Sequence, residues 1–134
     1  MIIFLIGAIL FGLIILTLIG GLNKKRPYAL KRHYFEAKWT ELLTRVRTPE
    51  GMILAVIDAD KLLDEALRHR RFKGKTTGER LVAAQRLLTD NDAVWYAHKL
   101  RNRLVHEQNQ ALRKKDAVNA LEGFKKALHD LGAL

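Results

Sequence analysis

Within six residues, Arg101-Asn102-Arg103-Leu104-Val105-His106 brings together a guanidinium, a carboxamide and an imidazole. An imidazole titrates near neutral pH and can carry a proton to or from a reacting group. A guanidinium keeps its charge and grips phosphate oxygens through two parallel N–H groups. Together they could transfer a proton and stabilise charge at a phosphorus centre whose substrate brings its own nucleophile. That chemistry requires no metal. The chain has no cysteine and no metal-ligand cluster, and neither a metal nor a cofactor is expected.

The element that must position these groups is an amphipathic helix. Val94, Ala97, Arg101, Leu104 and Val105 share one face at helical spacing, so Arg101 points toward packed surface. A guanidinium held there needs an acidic or phosphate partner. If the helix ends near Val105, His106 can turn back toward Arg101 at the mouth of a groove. A second arrangement carries equal weight. Asp60 lies on one stripe with Ile53, Val56, Leu63 and Leu67, where a charge is costly unless paired. Arg101 or His98 can partner it, with Glu107 or Asn102 completing a buried network that fixes helix register without catalysis.

Arg101-Asn102-x-x-x-His106 resembles the R-x4–6-H motif of the HEPN superfamily, including the polar residue that follows the arginine. Arg26 and His33 also meet the bare spacing. The asparagine, the helical setting and the all-helical context distinguish the second match. The resemblance spans residues 28–131 as an architecture and 98–107 as a motif. It implies a small helical bundle that dimerises and is either a metal-independent endoribonuclease or an inactive binding module. It also implies that Arg101 holds the scissile phosphate, His106 transfers the proton and Asn102 orients the site. The chain is similar as well to small membrane-anchored bacterial proteins with matching stretches at Ala59-Asp60-Lys61 and Ala97-His98-Lys99-x-Arg101-Asn102, a likeness that brings no activity with it.

The rest of the chain reads as all-α. Residues 28–46 place Tyr28, Leu30, Tyr34, Phe35, Trp39, Leu42, Leu43 and Val46 at helical spacing, and the aromatic residues read as core. Thr48-Pro49 opens a helix to about Arg70. Phe72–Gly78 reads as a loop, 77–88 as a short helix, and Asp90–Asp92 as caps for a helix through Val105. A last helix runs from Arg113 to Leu131, stopped by Gly132. His33, His69 and His129 sit among surface charges and read as solvated. About five helices therefore form one bundle.

Ahead of this domain, Met1–Leu22 contains no charged side chain. As a helix it would be about 30 Å long, the thickness of a bilayer's hydrocarbon core. The expected organisation is a transmembrane anchor over 1–23 and a domain over 24–134. Lys24, Lys25, Arg26, Lys31 and Arg32 all follow the apolar run, which places the N-terminus outside and the domain in the cytoplasm, at the plasma membrane. The net charge of +10 lies after residue 23 and suits anionic lipid or nucleic acid. Lipid is the better reading for Lys24–Arg32; the Arg68–Arg80 cluster is open between the two.

Two functions follow. One is a membrane-tethered HEPN-like domain that binds or cleaves RNA. The other is a non-catalytic adaptor that dimerises at the membrane and holds a protein partner or anionic lipid. Ala8-x-x-x-Gly12 allows two anchors to approach closely, adding to the expected homodimer. A reporter active only outside the cytoplasm is expected to stay silent when fused to the C-terminus; activity would reverse the orientation and remove RNA as a ligand.

Overall fold

Side-chain caps open three of the helices. In this computed structural model, residues 1, 6–7, 9–12, 14–15, 29–107 and 111–134 are described. Among them five helices follow one another: α1 (Arg32–Leu43), α2 (Pro49–His69), α3 (Thr77–Ala84), α4 (Asn91–His106) and α5 (Lys114–Asp130). Residues 6–7, 9–12 and 14–15 are helical too, and the described residues contain no strand. The Thr48 hydroxyl accepts from the Gly51 N–H at 3.0 Å, with Pro49 in the first turn where its missing N–H costs nothing. Thr76 caps α3 and Asp90 caps α4 in the same manner.

Two helices end in matching turns with different residues at the left-handed position. At the end of α5, Gly132 has φ 76° and the Ala133 N–H reaches back to the Leu128 carbonyl. At the end of α2, Arg71 has φ 59° and the Phe72 N–H reaches back to the Leu67 carbonyl. Glycine enters that conformation freely, whereas a residue with a Cβ does so at a cost of roughly 1–2 kcal/mol.

Helices α1, α3, α4 and α5 all pack on α2. Its buried face runs through Ala55, Val56, Ala59, Leu62, Leu63, Ala66 and Leu67. Phe35, Trp39 and Leu42 of α1, Leu81 and Ala84 of α3, and Val94, Ala97 and Leu100 of α4 complete the core with the inner face of α5. Helices α4 and α5 make the most extensive pairing, and Gly123 permits it. A Cβ on Gly123 would sit 2.5 Å from the Ala93 carbonyl oxygen. The same pair is tied at its rim by Lys126 Nζ donating to Asp90 Oδ2 at 2.8 Å, which holds the Asp90 carboxyl below its ordinary range.

Several expected boundaries move. Helix α1 starts at Arg32, with Ala29–Lys31 outside it, and α3 stops at Ala84, while Leu88 remains buried beyond its end. Helix α4 continues through His106. Tyr34 is 39% exposed, with its hydroxyl donating to Glu65 at 3.3 Å. The core stripe of α1 is Phe35, Trp39 and Leu42, and adjacent positions on a helix are turned by about 100°, so Tyr34 cannot join it. Val105 is likewise exposed, at 47%.

Most of the expected anchor over 1–23, including Ala8, lies outside the described residues, as do Lys24, Lys25 and Arg26. Ile6, Ile9, Leu10, Phe11 and Ile14 are exposed. Among the described residues, no helix is long and apolar enough to cross a membrane.

Gly123→Ala is expected to lower unfolding free energy by about 1–3 kcal/mol, because the added methyl must push α4 from α5. Urea denaturation of the two forms measures it; an unchanged midpoint would mean that the helices yield without cost.

Candidate functional site

The interior of the bundle holds a charged group. Asp60, near the middle of α2, has a side chain only 2% exposed. A buried carboxylate is tolerated only when its oxygens are satisfied, and α4 supplies both partners. His98 Nδ1 donates to Asp60 Oδ1 at 2.7 Å. Arg101 Nε lies 3.3 Å from Asp60 Oδ2, an ion pair whose N–H is not aligned for a hydrogen bond.

Positions 98, 101 and 102 stand at i, i+3 and i+4, so one face of α4 presents all three. The Asn102 carboxamide links the other two. Its oxygen accepts from Arg101 Nη1 at 2.9 Å, and its nitrogen lies 3.4 Å from His98 Nε2. With Nδ1 committed to the carboxylate, Nε2 is left as the acceptor for the amide.

Trp95 closes one side, its ring edge-on to the His98 imidazole at 5.8 Å. The first turn of α3 covers the other. A Cβ built on Gly78 would meet Trp95 Cη2 at 3.5 Å and His98 Nε2 at 3.8 Å. Arg101 keeps 25% of its side chain exposed and lines a polar cleft of about 370 Å³ with Asp60, Asp64, Arg68, His69 and Thr77. Arg80 and Asp64 pair across this region at 2.8 Å.

His106 is not part of this assembly. Because α4 runs on through His106, the five-residue step from Arg101 turns it by roughly 140° around the helix axis. It stands on the exposed surface instead of folding back over Arg101. Glu107 is the exposed C-terminal cap of α4. Of the six residues in the two expected arrangements, Asp60, His98, Arg101 and Asn102 come together within the chain, and His106 and Glu107 lie elsewhere. Of the expected membrane-surface residues, Lys31 and Arg32 are described and exposed, and Arg32 pairs with Glu36 at 2.7 Å.

Reading from Arg101 alone misses a second feature of α4. Lys99, Arg103 and His106 recur at i, i+4 and i+7 on an exposed stripe. Tyr96 lies one turn earlier, its hydroxyl donating to Asp116 at 3.3 Å, and Arg113 Nε donates to the same carboxylate at 2.7 Å. The Arg113 bond holds the Asp116 carboxyl below its ordinary range. Partial burial and the Asp116 charge push the Tyr96 phenol up. The spacing of these cations was a visible signal in the sequence; their exposure was not.

No family model, curated protein or solved structure matches this chain.

Asp60→Ala is expected to lower stability by about 3–5 kcal/mol, since it leaves an uncompensated cation in the interior. Arg101→Ala should destabilise as well, and the double substitution should cost less than the two singles added. Denaturant titration of the three forms tests this. Strict additivity would show that the two side chains do not interact.

Proposed function

We propose that this chain is a membrane-anchored helical module of HEPN-like character that binds RNA along the exposed face of α4 and does not cut it as a single chain. The observation that carries this reading is the division of the R-x4–6-H residues between two environments. Arg101 is engaged by a buried carboxylate and His106 lies around the helix from it. Two side chains on different sides of one helix are poorly placed to converge on a scissile phosphate, which supports binding over cleavage by a single chain. Lys99, Arg103 and His106, with Arg113 across the α4–α5 connection, offer exposed positive groups for a phosphate backbone, and the net charge of +10 favours such a ligand. The uncharged run Met1–Leu22, with exposed apolar side chains at its described positions, supports tethering to a membrane. A homodimer is in keeping with the HEPN resemblance.

One observation favours the adaptor reading beside it. Trp39, Leu43, Val46, Met52, Val118 and Leu121 line an apolar cleft of about 220 Å³, rimmed by Lys114, Lys125 and Glu122, a net positive edge. A partner protein offering an apolar side chain flanked by acids would fit it.

The full-length chain in nanodiscs is expected to bind single-stranded RNA with an affinity that falls steeply with salt. Each phosphate contact contributes a slope of about −0.7 on a double-logarithmic plot, so Lys99→Gln with Arg103→Gln should flatten it by about 1.4. The RNA should remain intact. An unchanged slope would remove α4 as the binding face. Cleavage that persists in chelator and disappears with His106→Ala would replace this reading by the enzyme.

A further inference from the structure

Two basic clusters far apart in the sequence meet at one end of the bundle. Helices α1 and α2 are joined by a short turn and lie against each other, so the start of α1 faces the end of α2. The Phe35 and His69 rings touch edge to face, 6.1 Å between centroids. Lys31, Arg68 and Arg71 line one open cleft of about 590 Å³ with Tyr34 and Glu65. Lys73 and Lys75 continue the surface in the exposed loop before α3.

The acids nearby leave a positive excess. Glu36 pairs with Arg32 and Asp64 with Arg80. Glu65 accepts from the Tyr34 hydroxyl, and Glu79 accepts from the Lys75 backbone N–H. Against Glu65 and Glu79 stand Lys31, Arg68, Arg70, Lys73 and Lys75.

Balancing the macrodipole of α2 accounts for Arg68, which lies in its last turn. It does not account for Lys73 and Lys75, which lie beyond the helix. Arg71 moreover occupies a left-handed position that a glycine fills without strain, as Gly132 does at the end of α5.

The position of this pole relative to the apolar run selects the ligand. Only the seven-residue step from Leu22 to Ala29 separates them, which spans at most about 25 Å when fully extended. We propose that the pole formed by Lys31, Arg68, Arg71, Lys73 and Lys75 binds the phosphates of anionic lipid headgroups and holds the domain end-on against the bilayer. The proposal rests on the membrane reading above and is independent of RNA. The turn between α1 and α2 marks the far end, because the 21 residues of α2 span about 30 Å. The bundle would thus stand with Arg45–Thr48 farthest from the lipid.

The chain has no cysteine, so single labels can be placed on the full-length protein in vesicles without RNA. A fluorophore at Lys75→Cys is expected to be quenched by brominated lipid in anionic vesicles and far less in neutral ones. One at Arg47→Cys should be quenched in neither. High salt should reverse the effect, since surface attraction is screened. Arg68→Gln, Arg71→Gly and Lys73→Gln together should weaken attachment on the order of 100-fold, at about fivefold per basic residue. The melting temperature should hold, because Arg71→Gly relieves a strained position. Equal quenching at residue 75 in neutral and anionic vesicles would overturn the proposal. So would a triple variant that loses RNA affinity while its quenching is unchanged, which would assign the pole to nucleic acid. Substituting Lys99 and Arg103 should leave the quenching as it is, so failure of the RNA reading shows separately. A chain that alkaline carbonate extracts from the vesicles removes the anchor; salt-sensitive co-sedimentation with anionic vesicles, lost in the triple variant, would still support the pole, and its absence would overturn it.

Discussion

Asp60 carries a carboxylate that water does not reach, near the middle of the helix on which the other four pack. Its oxygens must be met from within, and among the described residues α4 meets them, through His98 and Arg101. The angle and register of α4 on α2 follow from that requirement. A slide of one residue would turn each partner by about 100° and leave a buried charge uncompensated. Trp95, Gly78 and Asn102 add to the same constraint by closing the space around the imidazole.

The fixed register decides what α4 shows to solvent. With His98 and Arg101 turned inward, Lys99, Arg103 and His106 must face out. An arginine that compensates a buried carboxylate is poorly placed to reach a phosphate as well, since its charge is already spent on a partner in a low-dielectric setting. The same interaction that orders the bundle therefore separates Arg101 from His106 and leaves Lys99, Arg103 and His106 on the outer stripe.

Charge is distributed by the fold rather than by sequence order. Lys31 and the residues after His69 belong to different elements, and the close packing of α1 on α2 gathers them at one pole. The acids of α1 and α2 are mostly engaged by neighbouring cations, as in Arg45 with Glu41 and Asp58. The positive excess is left at the end of the domain that adjoins the apolar N-terminal run.

From the sequence alone, helical periodicity and capping residues determined the all-α class and nearly every helix, because spacing and cap chemistry are local. Thr48-Pro49, Asp90 and Gly132 act where their residue types require. Asp60 announced itself as well: a carboxylate on an apolar stripe demands a partner, and His98 and Arg101 were among the few that could serve. Which of them answered was decided by tertiary packing, and the answer was both. The continuation of α4 through His106 was equally invisible, since no local signal set the last turn against the polar residues that follow. That one additional residue kept His106 on the helix, turned away from Arg101. Exposure of the Lys99 stripe and the meeting of Lys31 with Arg68 and Arg71 also required the fold, because only the packing of distant segments decides which cations share a surface.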